Sequence, residues 1–62
     1  MNTYIELELT LMNGDLYYLY DCRFTVMQHK GSGGCSVNGY AVLEGYGLVV
    51  DMIRERMQET SQ

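Results

Sequence analysis

The residues QHKGSGGC, at positions 28–35, hold the only His, the only Lys and one of the two Cys of the chain, beside three glycines. These residue types could form a phosphate-binding loop, a zinc site or a thiol nucleophile. A P-loop has its Lys after the glycines and a helix directly behind it. Here Lys30 precedes Gly31 and a strand-like segment follows. The spacing therefore predicts a flexible loop between strands and no nucleotide site.

Zinc and thiol chemistry fit the spacing no better. Cys22, His29 and Cys35 follow the pattern C-x6-H-x5-C, whereas structural zinc usually takes four ligands in two close pairs. A Cys35–His29 pair would need a third group to orient the imidazole and a concave pocket for substrate. A domain of 62 residues has little room for such a pocket. We expect no metal, no cofactor and no catalytic residue, so the chain is not expected to be an enzyme.

Two cysteines are few for a disulfide-rich secreted scaffold. In a reducing cytosol we expect Cys22 to be a small core residue and Cys35 to be a thiol in the loop. The sequence leaves open whether the two are bridged.

Size and charge restrict the other function classes. The 62 residues predict a single domain, 1–62, near the smallest size that folds without staples. Eight acidic residues against four basic ones give a net charge of −4, which disfavours direct nucleic-acid binding. The N-terminal residues alternate with Glu and lack the features of a signal peptide or membrane anchor. We expect a cytoplasmic protein with no membrane contact.

The elements that position these residues begin with a β-hairpin. Residues 4–11 alternate strictly between apolar and polar side chains, which predicts a half-buried strand. Asn13-Gly14 favours a type I′ turn, and a second strand-like run extends from Leu16 to about Met27. A two-residue loop at residues 13–14 or at residues 14–15 keeps one face apolar, and the sequence does not decide between them. The first gives the pairs Leu11 with Leu16, Leu9 with Tyr18, Leu7 with Tyr20 and Ile5 with Cys22.

The C-terminal half predicts a third strand and a helix. A strand is expected at residues 36–44, ended by Gly45 and Gly47, with a rival helix from Asn38 to Glu59 left open. Later residues form an apolar helical stripe, which is Val49, Met52, Ile53 and Met57. The fold class is therefore α+β, with an antiparallel three-stranded sheet, made of the hairpin and a third strand, and one C-terminal helix packed on one face.

The other face of this sheet is predicted to stay open and to bind a protein partner. Tyr and Met are enriched in interface cores, and acidic residues would rim the patch. The predicted contact residues are Tyr4, Glu6, Glu8, Met12, Asp15, Tyr17, Leu19 and Asp21.

In size, acidity and lack of catalytic groups the chain resembles the small phage-encoded inhibitors of bacterial defence, such as anti-CRISPR proteins. The resemblance implies stoichiometric inhibition of a nuclease or another nucleic-acid-binding complex, with acids meeting Lys or Arg and tyrosines acting as anchors. The alternative is a structural or regulatory subunit that forms a homodimer through its open sheet faces.

Overall fold

The computed structural model describes residues 3–31 and 33–60. It confirms an α+β fold with antiparallel sheets and one C-terminal helix. The elements are β1 (Ile5–Thr10), β2 (Leu16–Asp21), β3 (Val26–Gln28), β4 (Cys35–Val37), β5 (Tyr40–Val42) and α1 (Tyr46–Thr60). The strands form two sheets, β1-β2 and β3-β4-β5, rather than one sheet of three strands.

The strand-like run from Leu16 to Met27 is divided between the two sheets. β2 ends at Asp21, whose Oδ1 accepts hydrogen bonds from the backbone N–H groups of Cys22 (2.7 Å) and Arg23 (3.3 Å). Such a side-chain turn replaces the ladder bonds that would continue the strand. The chain then enters β3, which pairs with β4.

Residues 36–44 form most of a second hairpin. β4 and β5 pair with Val37 opposite Tyr40, which leaves Asn38 and Gly39 as a two-residue loop. Their φ angles of 49° and 88° are those of a type I′ turn. The rival helix starting at Asn38 is therefore wrong. Helix α1 begins after Gly45, whose carbonyl accepts the N–H of Val49 at 3.0 Å.

The β1–β2 hairpin turns through three residues, 12–14, and both two-residue loops predicted from the sequence are wrong. The Leu11 N–H donates to the Asp15 carbonyl at 2.8 Å, and the Gly14 N–H donates to the Leu11 carbonyl at 2.9 Å. The loop is therefore a tight turn that ends in a left-handed glycine, since Gly14 has φ 94°. Asn13 stabilises the loop by accepting the Asp15 N–H at 3.0 Å through its side chain.

The longer loop shifts the register by one residue relative to the pairs predicted from the sequence. Leu7 lies opposite Leu19, and Leu9 lies opposite Tyr17. A shift of one residue turns every side chain of a strand to the opposite face of the sheet. Leu19 is therefore buried, whereas Tyr18 and Tyr20, which we expected inside, lie on the outer face.

The two sheets meet along β1 and β5. Leu11 bridges to Val42, and the Leu43 N–H donates to the Thr10 carbonyl at 2.8 Å. The Glu44 carboxylate accepts the backbone N–H and the hydroxyl of Thr10, both at 2.9 Å. These bonds attach the β1–β2 hairpin to the β3-β4-β5 sheet.

The core lies between the inner sides of the strands and helix α1, which packs against β1 and β3. Its buried residues are Ile5, Leu7, Leu9, Leu19, Cys35, Val37, Val42 and Val49. Of the predicted helical stripe, Val49 is buried and Met52 and Ile53 are partly buried. Met57 is 49% exposed, so the stripe ends one turn earlier than its spacing suggests.

Candidate protein-binding face

The side chains of β1 and β2 that point away from the core form a surface of tyrosines and carboxylates. We call it the outer hairpin face, and its residues are Tyr4, Glu6, Glu8, Leu16, Tyr18 and Tyr20. Its four apolar or aromatic side chains are between 53% and 66% exposed.

On the outer hairpin face, each glutamate of β1 is paired with a tyrosine of β2. Glu6 lies opposite Tyr20, and Glu8 lies opposite Tyr18. Directly opposed residues have their Cβ atoms about 5 Å apart. Each carboxylate therefore has a tyrosine ring as its nearest cross-strand neighbour.

Tyr4 and Tyr20 are a stacked pair at one end of the face. Their ring centroids lie 5.3 Å apart with an interplanar angle of 29°. The charge of the Cys22 thiolate and a hydrogen bond with that sulfur, followed by the Asp21 carboxylate, raise the pKa of Tyr4. The Tyr4 hydroxyl therefore stays neutral at physiological pH.

The carboxylates of the face have no cationic partner within the described residues. The ion pair found there joins Arg56 to Glu59 at 3.3 Å, on α1. Arg56 borders the Tyr4 end of the face, where an open cleft of about 320 Å³ lies between α1 and the hairpin. Glu6 and Glu8 are both exposed, and neither forms an ion pair with a described residue.

Five of the predicted contact residues are on accessible surface. Tyr4, Glu6 and Glu8 lie on the outer hairpin face, Met12 lies in the adjoining turn, and Asp15 directly follows that turn. Met12 is 63% exposed. The alternation of residues 4–11 was sufficient to place the first three.

The other three predicted contacts lie on the inner side of β2, because of the register shift. Leu19 is buried, and the Asp21 carboxylate is used by backbone groups and by the Asn38 amide at 3.4 Å. Tyr17 is half-buried and packs on Tyr40 with 4.7 Å between ring centroids. The hydrogen bond with Tyr40 and burial raise the pKa of Tyr17. The prediction that Leu19 is an exposed anchor is wrong.

Sequence reasoning missed Leu16, Tyr18 and Tyr20, which supply the β2 half of the face. The signal that would have found them is Gly14, because a glycine at the third loop position favours the three-residue hairpin. Matching apolar residues across the strands pointed the other way, since the tyrosines and leucines of LYYLYD fit either face.

The glycine-rich loop joins β3 to β4, and His29 contacts residues on its far side. The backbone N–H of His29 donates to the Gly34 carbonyl at 2.9 Å, and the Nε2 atom of the His29 ring lies 2.7 Å from the Ser36 hydroxyl. Residues 28 and 35 close the loop as a β3–β4 pair. No group of three His, Cys, Asp or Glu side chains that could hold a metal occurs among the described residues.

The two cysteines are free, and their predicted locations are exchanged. Cys35 is 1% exposed at the start of β4, whereas Cys22 is half-buried after β2. The expectation of Cys22 in the core and Cys35 in the loop is wrong because β4 begins at Cys35 and points its side chain inward. Burial, followed by the charge of Glu44, raises the pKa of the Cys35 thiol.

Comparisons of the chain with protein-family models, with curated proteins and with solved structures find no match. Helix α1 is the one helix of the described residues, and it is too short and too polar to cross a membrane. The geometry of the chain itself must therefore support any functional conclusion.

Proposed function

We propose that this protein is a small acidic, non-enzymatic protein-binding module whose contact surface is the outer hairpin face. The observation that carries the proposal is the set of exposed aromatic and apolar side chains on two adjacent strands, with Glu6 and Glu8 between them. Tyrosines in such a position bring large contact area at low entropic cost. Carboxylates around them give orientation and discrimination between partners.

The role that fits this face best is a stoichiometric inhibitor of a nucleic-acid-binding complex. Such complexes hold phosphates with Arg and Lys side chains, and an acidic, tyrosine-bearing surface is complementary to those groups. The net charge of −4 would favour encounter with a basic target. Inhibition would require occlusion of the target surface and no chemistry, as in the phage-encoded anti-defence class that the chain resembles in size and acidity.

Homodimerisation through this face is the alternative, and its electrostatics are less favourable. Two copies placed face to face would bury four carboxylates, from Glu6 and Glu8 of each chain. Arg56 lines the cleft at the margin of the face and is bonded to Glu59. Buried charges without partners cost several kcal/mol, so a basic partner suits the face better than a second copy.

The proposal is tested by comparing partner capture for three forms of the purified protein. The forms are the wild type, Tyr18→Ser/Tyr20→Ser, and Tyr46→Ser/Leu48→Ser as the control. The control residues are exposed side chains of α1, at 41% and 55%, and so match the change in surface apolarity.

We expect the wild type and the control to hold the same protein in a defined stoichiometric complex, and the hairpin variant to lose it. The captured protein is then purified, and the mass of the reconstituted complex is measured with each form. A complex that survives Tyr18→Ser/Tyr20→Ser but is lost in the α1 variant would place the binding surface on the helix and refute the proposal.

A further inference from the structure

The outer hairpin face repeats one arrangement twice along the strands. Glu6 with Tyr20 and Glu8 with Tyr18 are successive cross-strand pairs on the same face. Residues two apart on a strand are separated by about 7 Å. The face therefore carries two carboxylate–ring pairs at that spacing, of which the Glu6–Tyr20 pair also adjoins the ring of Tyr4.

Each pair has the chemistry that recognises a guanidinium group. Arginine forms bidentate hydrogen bonds with a carboxylate and stacks its planar cation on an aromatic ring. Tyr18 and Tyr20 are 53% and 66% exposed, so their rings are accessible from solvent. Lysine would satisfy the charge but would lose the bidentate and stacking contacts.

The spacing of the pairs selects the conformation of the ligand. Side chains on one face of an extended peptide also recur every two residues, about 7 Å apart. We propose that the outer hairpin face binds an extended segment of a partner protein that carries arginines in the pattern R-x-R, one on each Glu–Tyr pair. The inference rests on the proposed function and specifies the chemistry of the partner.

Charge complementarity supports this occupant over others. The two carboxylates are exposed and without ion-pair partners among residues 3–31 and 33–60. An R-x-R segment brings two cations to two anions, so each charge that loses water gains a partner. An acidic segment would face repulsion, and an apolar one would leave both carboxylates unpaired at the contact.

The test uses two peptides of identical composition, acetyl-GSRSRSG-amide and acetyl-GSRRSSG-amide, titrated into the ¹⁵N-labelled full chain. In an extended peptide, the first places both arginines on one side and the second places them on opposite sides. Amide chemical shifts report both the affinity and the contact surface. The same titrations are repeated with Glu6→Gln/Glu8→Gln and with Asp51→Asn/Glu55→Gln as a control.

The control also removes two negative charges, but from exposed positions of α1. We expect GSRSRSG to shift the amides of β1 and β2 and to bind about tenfold more tightly than GSRRSSG, since one guanidinium site contributes on the order of a tenfold gain. The Glu6→Gln/Glu8→Gln variant should abolish that preference, and the control should retain it.

Equal affinities for the two peptides, or an equal loss of affinity in both variants, would refute the proposed R-x-R spacing. Binding would then depend on net charge alone. The capture experiment distinguishes the two proposals. A complex that depends on Tyr18 and Tyr20 while neither peptide binds refutes the R-x-R inference alone. A complex indifferent to both tyrosines refutes the binding face itself.

Discussion

Among single residues, the two cysteines have different surroundings. Cys35 is enclosed by the core, and Cys22 is partly open to solvent beside Tyr4. Only the thiolate reacts with alkylating reagents. The burial that raises the pKa of Cys35 also blocks access to it. Their reactivities should therefore differ strongly in the folded protein.

We predict that iodoacetamide at pH 8 modifies Cys22 and spares Cys35 until the chain unfolds, as measured by mass spectrometry of the two peptides over time. A parallel reaction in denaturant gives the control, in which both thiols should react at comparable rates. Equal rates in the folded protein would contradict the buried position of Cys35.

The raised pKa of Cys35 also predicts the direction of a pH dependence. A thiol with a higher pKa in the folded state stabilises the fold while it is protonated, below its ordinary pKa of about 8.5. That contribution is lost as the pH rises through the folded-state pKa, and the raised pKa values of Tyr4 and Tyr17 act in the same direction at higher pH. The free energy of unfolding should fall in alkaline solution. The fall should begin at higher pH in Cys35→Ala, as measured by urea denaturation from pH 7 to 10.

Asn38 connects three segments through its side chain. It has φ 49°, its Oδ1 accepts the Thr25 N–H at 2.7 Å, and its Nδ2 lies 3.4 Å from both Asp21 Oδ2 and the Arg23 carbonyl oxygen. We predict that Asn38→Ala lowers the free energy of unfolding by about 2 kcal/mol, from lost hydrogen bonds and left-handed strain. Asn38→Gly removes the strain and should cost about half as much in urea denaturation. Equal costs would show that the backbone conformation contributes nothing.

At the scale of elements, the register of the first hairpin decides which side chains are available for binding. The structure buries Leu19 and exposes Tyr18, and the two-residue loops would reverse this. We predict that Leu19→Ala costs about 2–4 kcal/mol, as for a truncated core leucine, and that Tyr18→Ala costs less than about 1 kcal/mol. Urea denaturation of both variants checks this, and a larger loss for Tyr18→Ala would contradict the three-residue loop.

Much of the element order could be predicted from sequence, but the pairing could not. The alternation in residues 4–11 identified β1, and the apolar spacing from Val49 identified α1. The two Asn-Gly pairs carried the same turn signal, yet only Asn38-Gly39 forms the two-residue type I′ loop. At Asn13-Gly14, the bond from the Leu11 N–H to Asp15 and the core packing of Leu19 select the longer loop. The turn bond is local, but the burial of Leu19 is a tertiary contact that the Asn-Gly signal does not report.

The predicted exposure of the contact residues is correct for β1 and wrong for Leu19 of β2. The β1 half of the face was predicted because Glu6 and Glu8 alternate with apolar residues whose shared face the alternation predicts to be buried. In β2, tyrosines occupy both faces, since Tyr17 points inward and Tyr18 outward. Amphipathic residues of this kind do not fix a face, so the β2 half depended on a register that the sequence left ambiguous.

In the molecule as a whole, the buried core is small and many large hydrophobic side chains are exposed. Eight buried side chains form the core of the described residues, whereas eleven large hydrophobic side chains there are substantially exposed. Four of the exposed ones lie together on the outer hairpin face. Exposed apolar side chains grouped on one face are a feature of interaction sites in soluble proteins. We propose that a basic partner, and not a second copy of the chain, binds this face.

The solution mass of the purified protein, measured by light scattering over a dilution series in reductant, shows whether the chain self-associates. We expect the mass of one chain, 7.1 kDa, at every concentration, because the carboxylates on the face oppose self-association. A mass of two chains that persists on dilution and reverts to one chain in Tyr18→Ser/Tyr20→Ser would contradict it. The outer hairpin face would then be a homodimer interface.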